Sequence, residues 1–545
     1  AARGRAFVST PPTPTAGHGP PTPGGPVTAP ASHAQERAWL AASLTHDTPT
    51  YCAVDEFPVH ASVTEDDVAH ALAVLTGRHE PLRTVLRTVD GRLTQDVYPR
   101  IEPPVVHLDL SGHDAAAQTE ERRSLRARLA RHPFDPLDAP LWRATVLKLG
   151  EGAWSVLFAA HHTVYDTASR FNVHAELTEL CAAAEEGRAP RLPPLPFGYG
   201  AYARRERERF TPGRCDALAA YWRAHLDGLP PVHTLPLDRP RPSARAFGGA
   251  EVRTALPVDV TAALAAAARL HGTRPVMLFL AAYTALLHHH SGSDDLAVGL
   301  PVANRTEPGT RSMVGTFVNM RLVRADLTGD PDLTELVRRT TAAVRAGDRH
   351  DIPFQALVEL LPAPRPPGVP PGYQLAFNHT PAGSLGAPVS SCEEDLLLDI
   401  ADGTARLVYD TALFDRATVD TLLADYVRML ATLLDAPGTR LSRLRATPRP
   451  RPAPVPAAPA PAATAPRGDA QKRVAAVWQE VLGTDVADVH QDFFALGGHS
   501  LQALRMLARL TGEHTTGITL RTFFADPTVA GLATALARTN HGRTA

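Results

Sequence analysis

Apolar residues recur along this chain in two rhythms, one of helical and one of strand spacing, and two stretches have neither. "TYCAVDEFPVH" (50–60) has the β-branched and aromatic content of a strand, and "TEDDVAHALAVLTGRHEPL" (64–82) has helical spacing behind a Thr or Asp cap. "PLWRATVLKLGEGAWSVLFAAHH" (140–162) places two β-rich runs around a "GEG" turn, which predicts a hairpin. Next, "ASRFNVHAELTELCAAAEEG" predicts a helix with Phe171, Val173, Leu177 and Leu180 toward one face. Proline-rich "APRLPPLPFGYG" (189–200) reads as a joint. Beyond it the mixture repeats, with helices at "TAALAAAARLHG", "PVMLFLAAYTALLHHH" and "ATVDTLLADYVRMLATLLD" and a strand at "LAVGLPVA". Such interleaving predicts an α+β body in two lobes, about 30–200 and 201–445.

The stretches without rhythm divide the chain. Residues 1–29, rich in Pro, Gly and Thr, read as a disordered leader, and 446–468 holds eight prolines in 23 residues. The second is a semi-rigid tether in polyproline II conformation, with a reach of about 70 Å at most. Behind it, 469–540 reads as a small all-α four-helix bundle. Val474, Val477, Trp478, Val481 and Leu482 form one helical stripe and Leu501, Leu504, Leu507 and Ala508 another, with a short turn at "TLRTFFADP" and a last helix at "TVAGLATALA".

Composition narrows the classes. A net charge of −2 over 545 residues gives no electrostatic reason to expect nucleic acid or an anionic membrane as partner. No run of about 18 apolar residues predicts a membrane span, and no charged-then-apolar leader predicts a signal peptide. The four cysteines, Cys52, Cys181, Cys215 and Cys392, are far apart with no CxxC pair, as in a cytoplasmic protein with reduced thiols. The chain starts "AARGR" without methionine, consistent with a piece of something larger.

Three clusters could carry chemistry. In "DFFALGGHSLQALRM" (492–506) two glycines lead to Ser500 at the first turn of a helix, where free N–H groups and the helix dipole favour a phosphate. The same pattern also suits a simple N-cap serine. In "AAHHTVYDTAS" (159–169) adjacent residues of an extended segment point to opposite sides, so His161 and His162 do not suit one metal ion. The triple His288, His289, His290 ends a strong helix, where cations favour the C-terminal dipole end, and reads as structural. No metal site is expected.

The run "DFFALGGHSL" in a bundle of this size resembles the peptidyl carrier proteins of nonribosomal peptide synthetases. That resemblance implies a 4′-phosphopantetheine arm on Ser500, added by a phosphopantetheinyl transferase. The HHxxxD spacing of His161, His162 and Asp166 resembles the catalytic motif of the condensation domains of the same synthetases. Further stretches agree in order: "SHAQERAWL" (32–40), "RHEPLRTVL" (78–86), a weaker "YGAYARRE", "VGTFVNMRLVR" (314–324) and "RHDIPFQALVE" (349–359). The resemblance covers about 30–445 and implies two chloramphenicol-acetyltransferase-like lobes in a V around a tunnel. It implies amide formation between a donor acyl thioester, brought by an upstream donor carrier domain, and an acceptor amine. His162 would orient the nucleophile, take its proton or stabilise the tetrahedral intermediate, roles that an imidazole with a pKa near 6.5 suits. His161 would support the loop, and Asp166 would form a structural ion pair with Arg305 of "GLPVANRTEPG".

The resemblance also sorts the alternatives. His161 argues against heterocyclisation domains, which carry Asp there, and "VGTFVNMRLVR" argues against epimerisation domains. Thr167 stands where the family has glycine, so either it caps the following helix or it narrows the tunnel. An ester-forming domain, or a degenerate one serving as a docking scaffold, is the competing reading. No adenylation domain fits in the tether, so the carrier is expected to be charged by a trans-acting adenylation domain.

Overall fold

A computed structural model describes residues 25–541 apart from 45–50, 61, 90, 133, 136–139, 243–244, 246, 362–367, 371, 381–388, 390, 446, 448–462, 499, 512–521 and 524–525. The first lobe is built on a four-stranded sheet in the order β2 (Cys52–His60), β7 (Ala153–His161), β6 (Trp142–Gly150), β5 (Val105–Asp109). Strand β7 pairs antiparallel with both neighbours, and β5 joins β6 in parallel. Gly152, at φ 65°, makes the β6–β7 turn that the "GEG" predicts. One face of the sheet carries Val156, Phe158 and Ala160 against Val68, Leu72 and Leu75 of α2 (Glu65–Arg78) and Val173 and Leu177 of α4 (Thr167–Glu185). Leu147 and Leu157 on the other face meet Leu125 and Leu129 of α3 (Ala115–Arg131). A strand covered on both faces reads as continuous apolar sequence. His161 is the last residue of β7, and His162 follows it.

The second lobe is a six-stranded sheet in the order β10 (Asn319–Asp326), β9 (Asp295–Val302), β11 (Leu375–Thr380), β12 (Leu396–Ala401), β13 (Thr404–Asp410), β8 (Gly249–Ala255). Helix α8 (Pro275–Ser291), apolar nearly all round, is buried between this sheet and α7 (Val258–Leu270), α9 (Leu333–Arg349) and α11 (Arg416–Asp435). Among the described residues no helix is long and apolar enough to cross a membrane.

The motif stretches hold the lobes together. The loop between β9 and β10 leaves its own lobe and buries Val314 in the first lobe's core. His79 accepts the Val314 N–H at 3.2 Å while its other ring nitrogen meets Glu176 of α4 at 3.0 Å. Helix α5 (Tyr199–Arg209) is held by Glu80, which accepts the Gly200 N–H at 2.8 Å. Gln355 of α10 (Phe354–Val358) donates to the His33 carbonyl of α1 (His33–Leu44) at 2.7 Å.

Several expectations need correction. Residues 27–29, expected in the leader, belong to β1 (Val27–Pro30), which pairs with β4 (Arg92–Val97); β4 also pairs with β3 (Thr84–Val89) in a separate three-stranded sheet. Residues 1–24 of that leader lie outside the described residues. Phe171 is 41% exposed rather than on the buried face of α4, and the Arg170 guanidinium lies near its ring. Most of the expected tether also lies outside the described residues, but Thr464 is already fastened: its N–H donates to Asp488 and its carbonyl accepts the Val489 N–H.

The C-terminal unit packs α12 (Gly468–Leu482), α13 (Ser500–Thr511) and α14 (Val529–His541) around Trp478, Phe493, Leu504, Leu507 and Phe523. Of the short turn at 519–527, residues 519–521 and 524–525 fall outside the described residues, as do the side chains of Ser500 and Leu501. This unit rests on the body. Trp39 and Leu40 of α1, with Leu86 and Leu93, belong to the same apolar cluster as its core. A Cβ on Gly91, in the β3–β4 turn, would stand 3.3 Å from that of Ala508 in α13.

Candidate active site and arm-attachment site

Strand β7 delivers the two histidines, and the pleat sends them to different environments. His161, 4% exposed, places Nδ1 2.8 Å from the Thr163 hydroxyl and accepts the Thr163 N–H at 3.2 Å. Burial, aided by neighbouring His162, lowers its pKa to about 3, so it is a neutral core residue of the turn. His162 is half-buried, and its backbone N–H donates to the Tyr51 carbonyl at 2.9 Å. Its Nδ1 lies 3.1 Å from the Tyr165 carbonyl. A carbonyl only accepts, so Nδ1 carries the proton and Nε2 keeps its lone pair. Burial lowers the pKa of His162, partly opposed by the Tyr165 carbonyl and Glu393. The result is a neutral imidazole of fixed tautomer with a free basic nitrogen.

Asp166 has both carboxylate oxygens engaged. Oδ1 accepts from the Ser169 N–H, the Ser169 hydroxyl and Arg305 Nη2, each at 2.8 Å, and Oδ2 accepts the Phe317 N–H at 3.1 Å. Both partners of the Asp166–Arg305 pair are buried, at 2% and 6% exposure. Arg305 also donates to the carbonyls of Thr310 and Met313 and lies over the Phe317 ring. This carboxylate is thus the N-cap of α4 and an interlobe strut at once. It takes from Thr167 the capping role expected there. Thr167 is the exposed first residue of the helix and makes no cap bond.

Three further residues, Tyr51, Glu393 and Arg37, act on His162, and sequence reasoning passed over their role. Tyr51 sets its ring edge-on to His162 at 6.0 Å. Glu393, of the other lobe, acts electrostatically on both Tyr51 and His162, and so does Arg37 of α1. Tyr373 and Glu394 in turn sense the charges of Arg37 and Glu393. Burial and the Glu393 charge raise the Glu394 pKa to about 7. Arg37 also lines a cleft with His33, Ala34, Phe317, Asn319 and Gln355. The available signal was "EED" directly ahead of the apolar run of β12, which reads as a solvated turn.

The triple histidine disperses. His288 contacts the Ser293 carbonyl at 3.0 Å and Asp294 at 3.3 Å, while His290 binds buried Asp425 at 2.9 Å. Among the described residues no group of three His, Cys, Asp or Glu could hold a metal ion.

At the other candidate site, Ser500 is the first residue of α13, so the helix N-terminus faces whatever the residue carries. Its glycines answer to sterics. Gly497 sits at φ 97°, and a Cβ on Gly498 would come within 2.3 Å of the Phe493 ring. Phe493 is itself fully buried against Trp478 and Phe523. Gly498 is therefore held against the bundle core just ahead of the helix, whose N-terminal N–H groups favour a phosphodiester at its first residue.

Comparison with known proteins agrees with this arrangement. Residues 27–378 match the condensation domain family and 472–536 the phosphopantetheine attachment site family. Phosphinothricin tripeptide synthetase PhsC of Streptomyces viridochromogenes is 34% identical over 77% of this chain and 40% of its own length. The chain thus spans well under half of that relative. The crystal structure of the X-domain from teicoplanin biosynthesis is 25% identical, with a TM-score of 0.66, over 77% of this chain and 97% of its own. The first condensation domain of the calcium-dependent antibiotic synthetase, at 22% identity and a TM-score of 0.63, covers 77% of this chain and 99% of its own, and shares the fold. An α+β body with a buried HHxxxD turn, followed by a helical unit with a serine-headed helix, places this chain in the condensation domain family of nonribosomal peptide synthetases, with a phosphopantetheine carrier domain behind it.

Proposed function

We propose that the body, about 27–445, joins a donor acyl thioester to the amine of an acceptor held on the chain's own carrier, forming an amide. The observation that carries this reading is the state of His162, a neutral imidazole with Nδ1 tied to the Tyr165 carbonyl and Nε2 unengaged. Such a nitrogen accepts a proton from the amine as it attacks, or holds the amine in line by a hydrogen bond. In balance, the amine nitrogen bonds to the thioester carbonyl carbon, the C–S bond breaks, and the amine proton passes through His162 to the departing thiolate. When attached, the phosphopantetheine arm supplies the thiol on which the acceptor is held as a thioester. The chain's own part is to present it: the carrier rests against α1 through the cluster that contains Trp39 and Leu40, beside the cleft lined by Arg37. That seating supports the acceptor side as the one the carrier serves. An upstream donor carrier, a trans-acting adenylation domain and a phosphopantetheinyl transferase are the partners that this reading requires.

Intact-protein mass spectrometry tests it. The protein, loaded with an aminoacyl arm by a phosphopantetheinyl transferase and mixed with an acyl-loaded donor carrier, should gain the acyl mass on the Ser500 arm. Ser500→Ala should take up no arm. His162→Ala should fold and load normally yet transfer about 10²–10⁴-fold more slowly. Full transfer by that variant would overturn the role of His162.

The likeness to the teicoplanin X-domain, one structure of which is a complex with OxyB, favours a second reading in which the body is a docking platform. In that case the wild-type protein gains no acyl mass at all. Thr167 enters as a rim residue: since it caps nothing, the proposal is that its β-branched side chain restricts bulky donors, and Thr167→Gly should then speed their transfer relative to small ones.

A further inference from the structure

Strand β2 carries a charged residue in its apolar stripe. Ala53, Phe57 and Val59 share one face of the strand and pack against the first lobe's core, and Asp55 shares that face with them. The Tyr165 hydroxyl donates to Asp55 Oδ2 at 2.8 Å, and Arg170 Nη1 of α4 stands 3.7 Å from Oδ1. Tyr165 is 1% exposed, and its ring lies 5.5 Å from that of Phe158, the strand partner of Asp55. A phenylalanine at 165 would fill the same space without drawing a carboxylate toward the core. Burial raises the pKa of Asp55, opposed by the Tyr165 hydroxyl and the Arg170 charge. Placing a carboxylate there is costly, and a satisfied polar pair in such a place specifies one geometry of the groups it joins.

The geometry it joins is that of His162. Tyr165 carries both the hydroxyl bound to Asp55 and the carbonyl that takes the His162 Nδ1 proton at 3.1 Å. The turn is fastened on either side of Tyr165: the Val164 N–H donates to the His161 carbonyl at 3.0 Å, and Asp166 caps α4. Between these points, a ring pinned at its hydroxyl resists rotation of the Tyr165 peptide. A rotated peptide would lose the Nδ1 bond. The imidazole would then be free to carry its proton on Nε2, where it is no base.

We propose that Asp55 and Tyr165 are positioning residues for His162: their hydrogen bond holds the turn so that the Tyr165 carbonyl keeps the imidazole proton on Nδ1 and leaves Nε2 basic. This deepens, and rests on, the reading of His162 as the group that takes the amine proton. Besides Tyr165, the groups that face Asp55 are Arg170 of α4, Arg126 of α3 and His162 itself. Both arginines favour the carboxylate, which only accepts, so the phenol donates. Those that face His162 are Glu393, Arg37, Asp166 and His161.

The full chain, with an aminoacyl arm on Ser500, tests this by two readings of His162. Magnetic resonance of isotope-labelled histidine rings, with the His162 signal assigned by its loss in His162→Ala, should show Nδ1–H alone in the neutral wild type. Tyr165→Phe keeps the packed ring, so it should fold, and its His162 signal should include the Nε2–H form. Its acyl transfer should be about tenfold slower, through kcat rather than the KM for the donor carrier. The acid limb of its rate–pH profile should move to lower pH, because the Tyr165 carbonyl holds the His162 pKa up. Asp55→Ala should behave alike, whereas Asp55→Asn keeps an oxygen for the phenol and should stay within about threefold of wild type. A wild type with the proton on Nε2, a Tyr165→Phe variant that stays wholly Nδ1–H, or undiminished transfer by that variant would overturn the proposal. If the wild type transfers no acyl group, the condensation reading fails by itself. The ring signals then still decide: a tautomer that changes in Tyr165→Phe and Asp55→Ala upholds the positioning role, and an unchanged one refutes it.

Discussion

A carboxyl group held at the wrong pKa reports what its surroundings lack, and Glu394 does so here. It faces Glu393 on its own segment, Arg37 from α1, Arg245, Tyr283 and Tyr373 from the second lobe, and the buried Cys392 thiol. Its pKa lies above the ordinary carboxylate value, at about 7, so ionising it costs the folded state. The cost is absent below about pH 4.5, grows as pH rises, and is complete above pH 7. Glu394→Gln should therefore gain on the wild type between pH 5 and pH 8, by on the order of 3 kcal/mol. Urea melts at the two pH values check this, and a difference that does not change with pH would show that the carboxyl is solvated. His161 acts at the other end. Its lowered pKa means that stability is lost as pH falls from 6.5 toward 3. At this scale the histidines and Asp166 were legible because their spacing is a motif. Glu393 and Glu394 were not, because a charged pair before an apolar strand looks the same whether it meets water or the other lobe.

The elements that carry these residues obey simple rules, with exceptions that have causes. Helix α4 starts at Asp166 because that side chain accepts the Ser169 N–H, and the same carboxylate reaches Arg305 and the Phe317 N–H across the lobes. One residue thus serves a local and a long-range structure, and substitution should separate the two. Asp166→Ala strands the buried Arg305 and loses the cap, and should cost roughly 3–5 kcal/mol. Asp166→Asn keeps a capping oxygen and should fall between it and the wild type in thermal melts. Wild-type melting of the alanine variant with lost transfer would instead make Asp166 catalytic. Helices α2, α4, α8 and α11 and the β6–β7 hairpin were readable from periodicity, since their apolar faces are long. The β1–β4–β3 sheet was not. β1 has four residues and only Ala29 buried, too little pattern to distinguish from the leader before it. Phe171 was misplaced because helical spacing gives the direction of a face but not its width.

For the whole molecule, the seating of the carrier on the body is the feature with consequences. Arg505, an exposed residue of α13 one turn past Ser500, lies within electrostatic reach of Glu359 behind α10. Arg505→Glu sets like charges there and should slow transfer onto the Ser500 arm about two- to fivefold, consistent with a surface pair of ~0.5–1 kcal/mol. Arm attachment should proceed as before, and raising the salt concentration should narrow the gap. A rate equal to wild type at low salt would mean that this contact does not guide the carrier. The ordered motifs of the sequence look different at this scale. His79, Gln355 and the loop around Val314 fasten one lobe to the other, while Arg78 and Glu80 hold α4 and α5 in place. By itself the sequence determined the α+β body, the helical carrier, the serine that heads α13 and the histidine pair, because each is encoded in local spacing: apolar periodicity, turn glycines and a six-residue motif. Only the tertiary structure decided which histidine keeps a free nitrogen, that Asp166 is a strut, and that Glu393 of a distant segment acts on Tyr51 and His162. Those outcomes depend on burial and on charges brought together from both lobes, and neither quantity is a property of neighbours along the chain.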